Sequence, residues 1–132
     1  MQEAQEPLSQ EGTVLHRTVL VVEDDAHIGA FLIEAITQET PHHAILVPTG
    51  AEALQVVQQV KPELLILDFH LPGMNGLELY DHIHAIPGLQ QVPAIMMSAR
   101  LPRAELEKRA IIGINKPFEL DDFLQTVHDL LG

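Results

Sequence analysis

Apolar positions along this chain fall into two alternating kinds of stretch. Five short runs, Thr18–Val22, Ala44–Val47, Leu64–Asp68, Pro93–Met97 and Ala110–Ile114, are apolar on both alternating faces. Strands buried between two layers look like this, although for Leu64–Asp68 the period alone also admits a buried helix segment. Between the runs, apolar residues recur at three- and four-residue steps. Ile28, Phe31, Leu32, Ala35 and Ile36 form one helical stripe, Ala53, Leu54, Val57 and Val60 a second within Ala51–Val60, and Leu79, Ile83 and Ile86 a third within Leu77–Ile86. Pro102–Arg109 has room for about two turns. Leu120, Phe123, Leu124, Val127, Leu130 and Leu131 make the last stripe. Asp24 or Asp25 is placed to cap the first helix, Pro41 stops it, and Pro62 and Pro87-Gly88 close the next two. Five strand–helix repeats predict an α/β fold: a parallel sheet with right-handed crossovers and helices on both faces.

Length and composition narrow this picture. A chain of 132 residues fits one domain. Residues 1–16 are polar, carry Pro7 and Gly12 and show no period, so they read as a flexible N-terminal arm before a folded domain at 17–132. A hydrophobic content of 46% with 20% charged residues is that of a globular protein. No run approaches a membrane span, and the amino terminus lacks the basic and apolar regions of a signal peptide. The absence of cysteine excludes a disulfide framework and a thiolate metal site, and fits a cytoplasmic protein. A net charge of −12 argues against direct nucleic-acid binding. Arg100, Arg103, Lys108 and Arg109 nevertheless cluster, and read as a solvated helix face.

The candidate chemistry lies at the strand ends. Leu64–Asp68 finishes on a carboxylate and opens into a turn rich in Pro72, Gly73, Asn75 and Gly76. Taken alone, Asp68 is better explained as a cap or turn residue. In a parallel sheet, however, all carboxyl-terminal strand ends share one rim. That rim gathers Glu23, Asp24 and Asp25, then Asp68, Ser98 and Lys116. Carboxylates so crowded must take up protons, separate or hold a cation. Oxygen-only donors suit a hard ion, and Mg²⁺ in particular binds through one or two carboxylates plus phosphate oxygens. A carboxylate, a divalent cation, a lysine and a hydroxyl are the parts needed to accept a phosphoryl group.

VLVVEDDAHI, LLILDFHLPGMNGLEL, the strand ending in Ser98-Ala99, and NKPF, in that order, resemble the receiver domain of bacterial two-component response regulators, including the stand-alone chemotaxis-type receivers. The resemblance spans roughly Thr18 to Leu131. It implies a doubly wound, flavodoxin-like, five-stranded parallel sheet in the order 2-1-3-4-5. It also implies that Asp68 is the phosphoacceptor, Ser98 the switch hydroxyl and Lys116 the lysine that binds a phosphoryl oxygen. Asp24 would ligate Mg²⁺ directly and Glu23 through water, with Asp68 and the backbone carbonyl of His70 completing the protein's share. A cis bond between Lys116 and Pro117 is implied as well. The partners so implied are a sensor histidine kinase or phosphotransfer protein and a downstream protein; charge and hydropathy argue against direct nucleic-acid or membrane contact. The activity would be limited to Mg²⁺-dependent self-phosphorylation and autodephosphorylation.

Two departures stand out. The family usually has Tyr or Phe three residues before the lysine, and here that position is Gly113. Only seventeen residues (99–115) separate Ser98 from Lys116, fewer than is usual, which implies a shortened fourth helix region. With no aromatic ring to move, the response to phosphorylation is expected to stay in the loops Phe69–Asn75 and Ser98–Arg103. A small phosphatase with an aspartyl-phosphate intermediate is disfavoured because His70 stands where that class carries a second Asp. A phosphorylation-independent adaptor that keeps the fold for docking is the alternative. Of the eight histidines, the pairs His42/His43 and His82/His84 lack metal-site spacing, and His27 and His70 read as surface residues near the acidic rim.

Overall fold

The computed structural model describes residues 16–132. The arm expected over residues 1–16 therefore lies, His16 apart, outside the described residues. Five strands and five helices alternate: β1 (Thr18–Val22), α1 (Ala26–Glu39), β2 (His43–Val47), α2 (Gly50–Val56), β3 (Leu64–Asp68), α3 (Gly76–His84), β4 (Ala94–Ser98), α4 (Arg103–Arg109), β5 (Ile112–Asn115) and α5 (Leu120–Leu131). All pairings are parallel and the strand order is β2-β1-β3-β4-β5, as expected.

Every residue of β3 and β4 is buried, which accounts for their unbroken apolar runs. Alternate strand residues feed two cores. Leu20, Leu65, Leu67 and Met96 pack with α2, α3 and α4 through Ala53, Leu79, Ile83 and Leu106. Val19, Val21, Ile66 and Met97 pack on the other face against Leu32 and Ile36 of α1 and Phe123 and Val127 of α5. Burying a side chain of this size contributes about 1.5–3 kcal/mol.

Element ends differ from the sequence expectation where turns compete with helix or strand. The α2 helix stops at Val56 and unwinds through tight turns, with Gln59 N–H donating to the Val56 carbonyl at 3.0 Å. The β5 strand begins at Ile112, two residues later than the apolar run suggested. Ala110 cannot join it, because it closes α4 in the left-handed conformation (φ 57°, ψ 36°). Its neighbour Ile111 donates to the Leu106 carbonyl at 2.9 Å, an αL helix stop made without glycine. The β2 strand begins at His43, one residue earlier than the apolar run suggested.

Candidate functional site

The sheet register places the chemistry. Val22 pairs with Leu67, Asp68 with Met97 and Ser98 with Asn115, so four strands end at one level. Glu23 follows β1 and is buried; Asp68 closes β3 and Ser98 closes β4, both buried; Lys116 follows β5. The peptide bond between Lys116 and Pro117 is cis. Ligand oxygens of Glu23, Asp24 and Asp68 all lie within 4.8 Å of one another, with Asp24 exposed to solvent. The six expected site residues, Glu23, Asp24, Asp68, His70, Ser98 and Lys116, line one open cleft of about 560 Å³ together with Asp25, Ile28 and Ala99.

Local structure fixes each group. Asp25 caps α1, accepting from the backbone N–H groups of His27 (2.9 Å) and Ile28 (3.0 Å). These hydrogen bonds hold its carboxyl below the usual range, so it is committed to the helix. Between the two possible caps this leaves Asp24 for the cleft. Glu23 accepts from Asp25 N–H at 3.1 Å. After Asp68, Asn75 and Glu78 form a reciprocal capping box, each side chain accepting from the other's backbone N–H at 2.9 Å. Gly76 tightens this loop against the acceptor strand. A Cβ there would come within 2.6 Å of both the Asp68 carbonyl oxygen and Met96 Sδ, so a larger residue would push the loop away. The Asn-x-x-Glu spacing was visible in the sequence; the need for glycine at 76 was not.

Lys116 Nζ donates to Glu23 Oε1 at 3.0 Å and to Asp68 Oδ1 at 3.2 Å. Burial pushes the Glu23 carboxyl above the usual range, and the Asp68 charge adds to this against the opposing bonds from Lys116 and Asp25 N–H. Burial disfavours the Lys116 ammonium, but the bond to Glu23 and the Asp68 charge outweigh it and hold its pKa above the ordinary value. One ammonium therefore faces three carboxylates, two of them out of water. Hard oxygen donors with an uncompensated charge fit Mg²⁺. The Ser98 hydroxyl donates to the Arg100 carbonyl and accepts from Arg100 N–H, both at 3.0 Å.

The basic cluster is not simply solvated. Arg109 forms a two-pronged bond to Asp81 of α3 (2.8 and 2.9 Å) and another to Glu105 (2.9 Å). Arg103 bonds Asn115 and Lys108 bonds Glu105.

Residues 19–128 match the family model of the response regulator receiver domain. The DNA-binding response regulator MtrA of Mycobacterium tuberculosis (strain ATCC 25618 / H37Rv) is 32% identical over 117 residues, 86% of this chain and 50% of that protein. The chain thus spans about half the length of the MtrA proteins it matches. The polar-differentiation response regulator DivK of Brucella anthropi is 26% identical over 88% of this chain and 97% of its own length. Among solved structures, the signal receiver domain of a signal transduction histidine kinase from Syntrophus aciditrophicus superposes with a TM-score of 0.78 at 26% identity, covering 87% of this chain and 89% of that one. The Vibrio cholerae chemotaxis protein CheY4, at 22% identity, shares the fold with a TM-score of 0.82 over 89% of this chain and all of its own.

Proposed function

The chain belongs to the response regulator receiver domain family, and from that premise we propose that it accepts a phosphoryl group on Asp68 in Mg²⁺-dependent phosphorelay signalling. The observation that supports this reading best is the meeting of Glu23, Asp24 and Asp68 around one cleft, with Lys116 Nζ 3.2 Å from Asp68 Oδ1. The donor is a sensor histidine kinase or a phosphotransfer protein. An Asp68 carboxylate oxygen attacks phosphorus in line; the P–N bond of the donor's phosphohistidine breaks, its electron pair stays on the imidazole, and an aspartyl phosphate forms.

Glu23, Asp24, Asp68 and the His70 carbonyl would hold Mg²⁺, which offsets charge on the transferring oxygens when bound. Lys116 binds one phosphoryl oxygen and the Ser98 hydroxyl donates to another. Hydrolysis of the acyl phosphate resets the protein, so its catalysis is confined to its own phosphorylation and dephosphorylation. A cytoplasmic setting is part of this reading and fits a chain without cysteine. Among the described residues, no helix is long and apolar enough to cross a membrane.

Phosphate incorporation from acetyl phosphate tests the proposal. Labelling is expected with Mg²⁺, to be lost on its removal, and to be abolished in Asp68→Asn. Label on Asp24 or a histidine would overturn it, and a fold that never takes label yet binds its partner would favour the adaptor reading.

A further inference from the structure

The space beside Gly113 is not empty. A Cβ built there would lie 2.8 Å from Leu101 Cδ1 and 2.8 Å from Leu106 Cδ1. These two leucines cover the bare strand, and they are held very differently. Leu106 is buried within α4, whose end is fixed to α3 by the Arg109–Asp81 pair and by the Tyr80 hydroxyl donating to the Arg109 carbonyl at 3.2 Å. Leu101 is half-buried in the loop before α4, one residue beyond Arg100. That loop is tied to β4 through the Ser98 hydroxyl, which both donates to and accepts from the Arg100 backbone. A serine has one proton to donate. The hydroxyl cannot give it to a phosphoryl oxygen on Asp68 and keep the bond to the Arg100 carbonyl.

We propose that Leu101 is the side chain that reports the state of Asp68. It covers Gly113 while the Ser98 hydroxyl holds Arg100, and it leaves Gly113 when that hydroxyl turns to a phosphoryl oxygen. This rests on the acceptor reading above. It adds that an apolar residue of the β4–α4 loop takes over the switching that a ring on β5 would otherwise perform, while α4 stays in place. Because coupling is reciprocal, whatever loosens Leu101 from Gly113 also favours the occupied state of Asp68.

The test uses the intact chain with ¹³C-methyl leucine, Mg²⁺ and beryllium fluoride, with the fluorine resonances of the adduct reporting occupancy of Asp68. The Leu101 methyl signals are expected to shift with adduct formation while those of Leu106 hold. Gly113→Ala crowds only the ends of two flexible side chains. It is expected to move the Leu101 methyls toward their adduct positions before fluoride is added. Gly113→Ala and Leu101→Ala should each bind beryllium fluoride about fivefold more tightly. A leucine that merely fills space would lower stability on Leu101→Ala and leave fluoride affinity unchanged, which overturns the proposal. So would an adduct that leaves the Leu101 methyls unmoved. Failure of the unaltered protein to form any adduct would bring down the acceptor reading, and this one with it.

Discussion

Two places in this molecule set one cation between two carboxylates, and they behave oppositely. At the rim, Lys116 serves Glu23 and Asp68 at 3.0 and 3.2 Å. At the α3–α4 corner, Arg109 serves Asp81 and Glu105 at 2.8 and 2.9 Å. The distances are alike; the burial is not. The rim carboxylates are 3% and 6% exposed, the corner ones 54% and 43%. In the corner, hydrogen bonds from Arg109 hold both carboxyls below their usual range. At the rim, burial raises Glu23 in spite of its lysine. Water satisfies what the cation leaves over in the corner, whereas the rim keeps an unmet demand for positive charge. The cations match these tasks: the arginine fork is fixed in a planar two-pronged bond, while a lysine is a point charge on a flexible stem that can change partners. The same charge pattern holds two helices together when wet and leaves carboxylates short of positive charge when dry.

The largest effect expected from this contrast is on removing the rim cation. Lys116→Met leaves two buried carboxylates facing each other, and breaking such a pair costs about 3–5 kcal/mol. Some of that will be recovered as Glu23 takes a proton, so a loss of about 3 kcal/mol is expected in urea unfolding without Mg²⁺. A loss below about 1 kcal/mol, the level of a surface pair, would erase the distinction between the two places.

The unmet demand can also be filled. A cation that binds only the folded state stabilises by about 2.7 kcal/mol at a hundred times its Kd. At that concentration Mg²⁺ should therefore raise Tm by about 10 °C, at about 4 °C per kcal/mol for a domain of this size. Asp24→Ala should remove most of this gain, because it takes away one of the three carboxylates whose oxygens converge there. The corner, already satisfied, should contribute nothing: Asp81→Asn ought to leave the Mg²⁺ shift intact. A shift that survives Asp24→Ala would place the ion elsewhere on this acidic surface.

Why the rim was legible in the sequence and the corner was not has a physical basis. Strand ends are local features: an apolar run that stops at Asp68 or Ser98 marks the sheet edge, and parallel topology then brings all such ends together whatever lies between them. Lys116 meets Glu23 across 93 positions for that reason alone. The Arg109–Asp81 bond spans 28 positions and depends on how α4 lies on α3, which no periodicity encodes. The basic cluster consequently read as a solvated face. Gly113 was recognised as lacking a ring, but the leucines that fill its place became visible only in the packing. Gly76 was read as a turn residue, and its closeness to the Asp68 carbonyl emerged only from the fold.

A smaller effect is expected at the corner. Removing Arg109 as Arg109→Met costs about 1 kcal/mol at neutral pH, since the Asp81 pair is exposed and screened. Its pH dependence follows from the lowered Asp81 carboxyl. The ordinary value is 3.8 and the folded one lies below it, so on acidification the unfolded chain takes up the proton first. The contribution is complete above about pH 5 and is lost as pH falls through the folded value. Unfolding free energies of the two proteins should therefore converge once pH has fallen below the folded values of Asp81 and of Glu105, the other carboxyl that Arg109 lowers. A gap that persists there would mean that Arg109 acts through its packed stem and not through its charge.

The smallest effect concerns the backbone that follows. Ala110 sits in the left-handed region at φ 57°, where a side chain costs about 1–2 kcal/mol and glycine nearly nothing. Glycine loses more freedom on folding, about 0.5–1 kcal/mol, so the two terms partly cancel. Ala110 is exposed, and its methyl group gives up little packing. Ala110→Gly should then stabilise the fold by about 0.5 kcal/mol, and Ala110→Val should shift it in the opposite direction, since a β-branched residue suits this conformation least. Both are read from urea midpoints at constant slope. The comparison is sharpened by a second measurement on the same variants. If the corner is a structural tie and the rim the reactive site, the rate of labelling by acetyl phosphate should be the same in both variants as in the parent protein. Labelling rates that rise or fall in step with corner stability would show that α4 moves with Asp68, and the two places would then be parts of one switch.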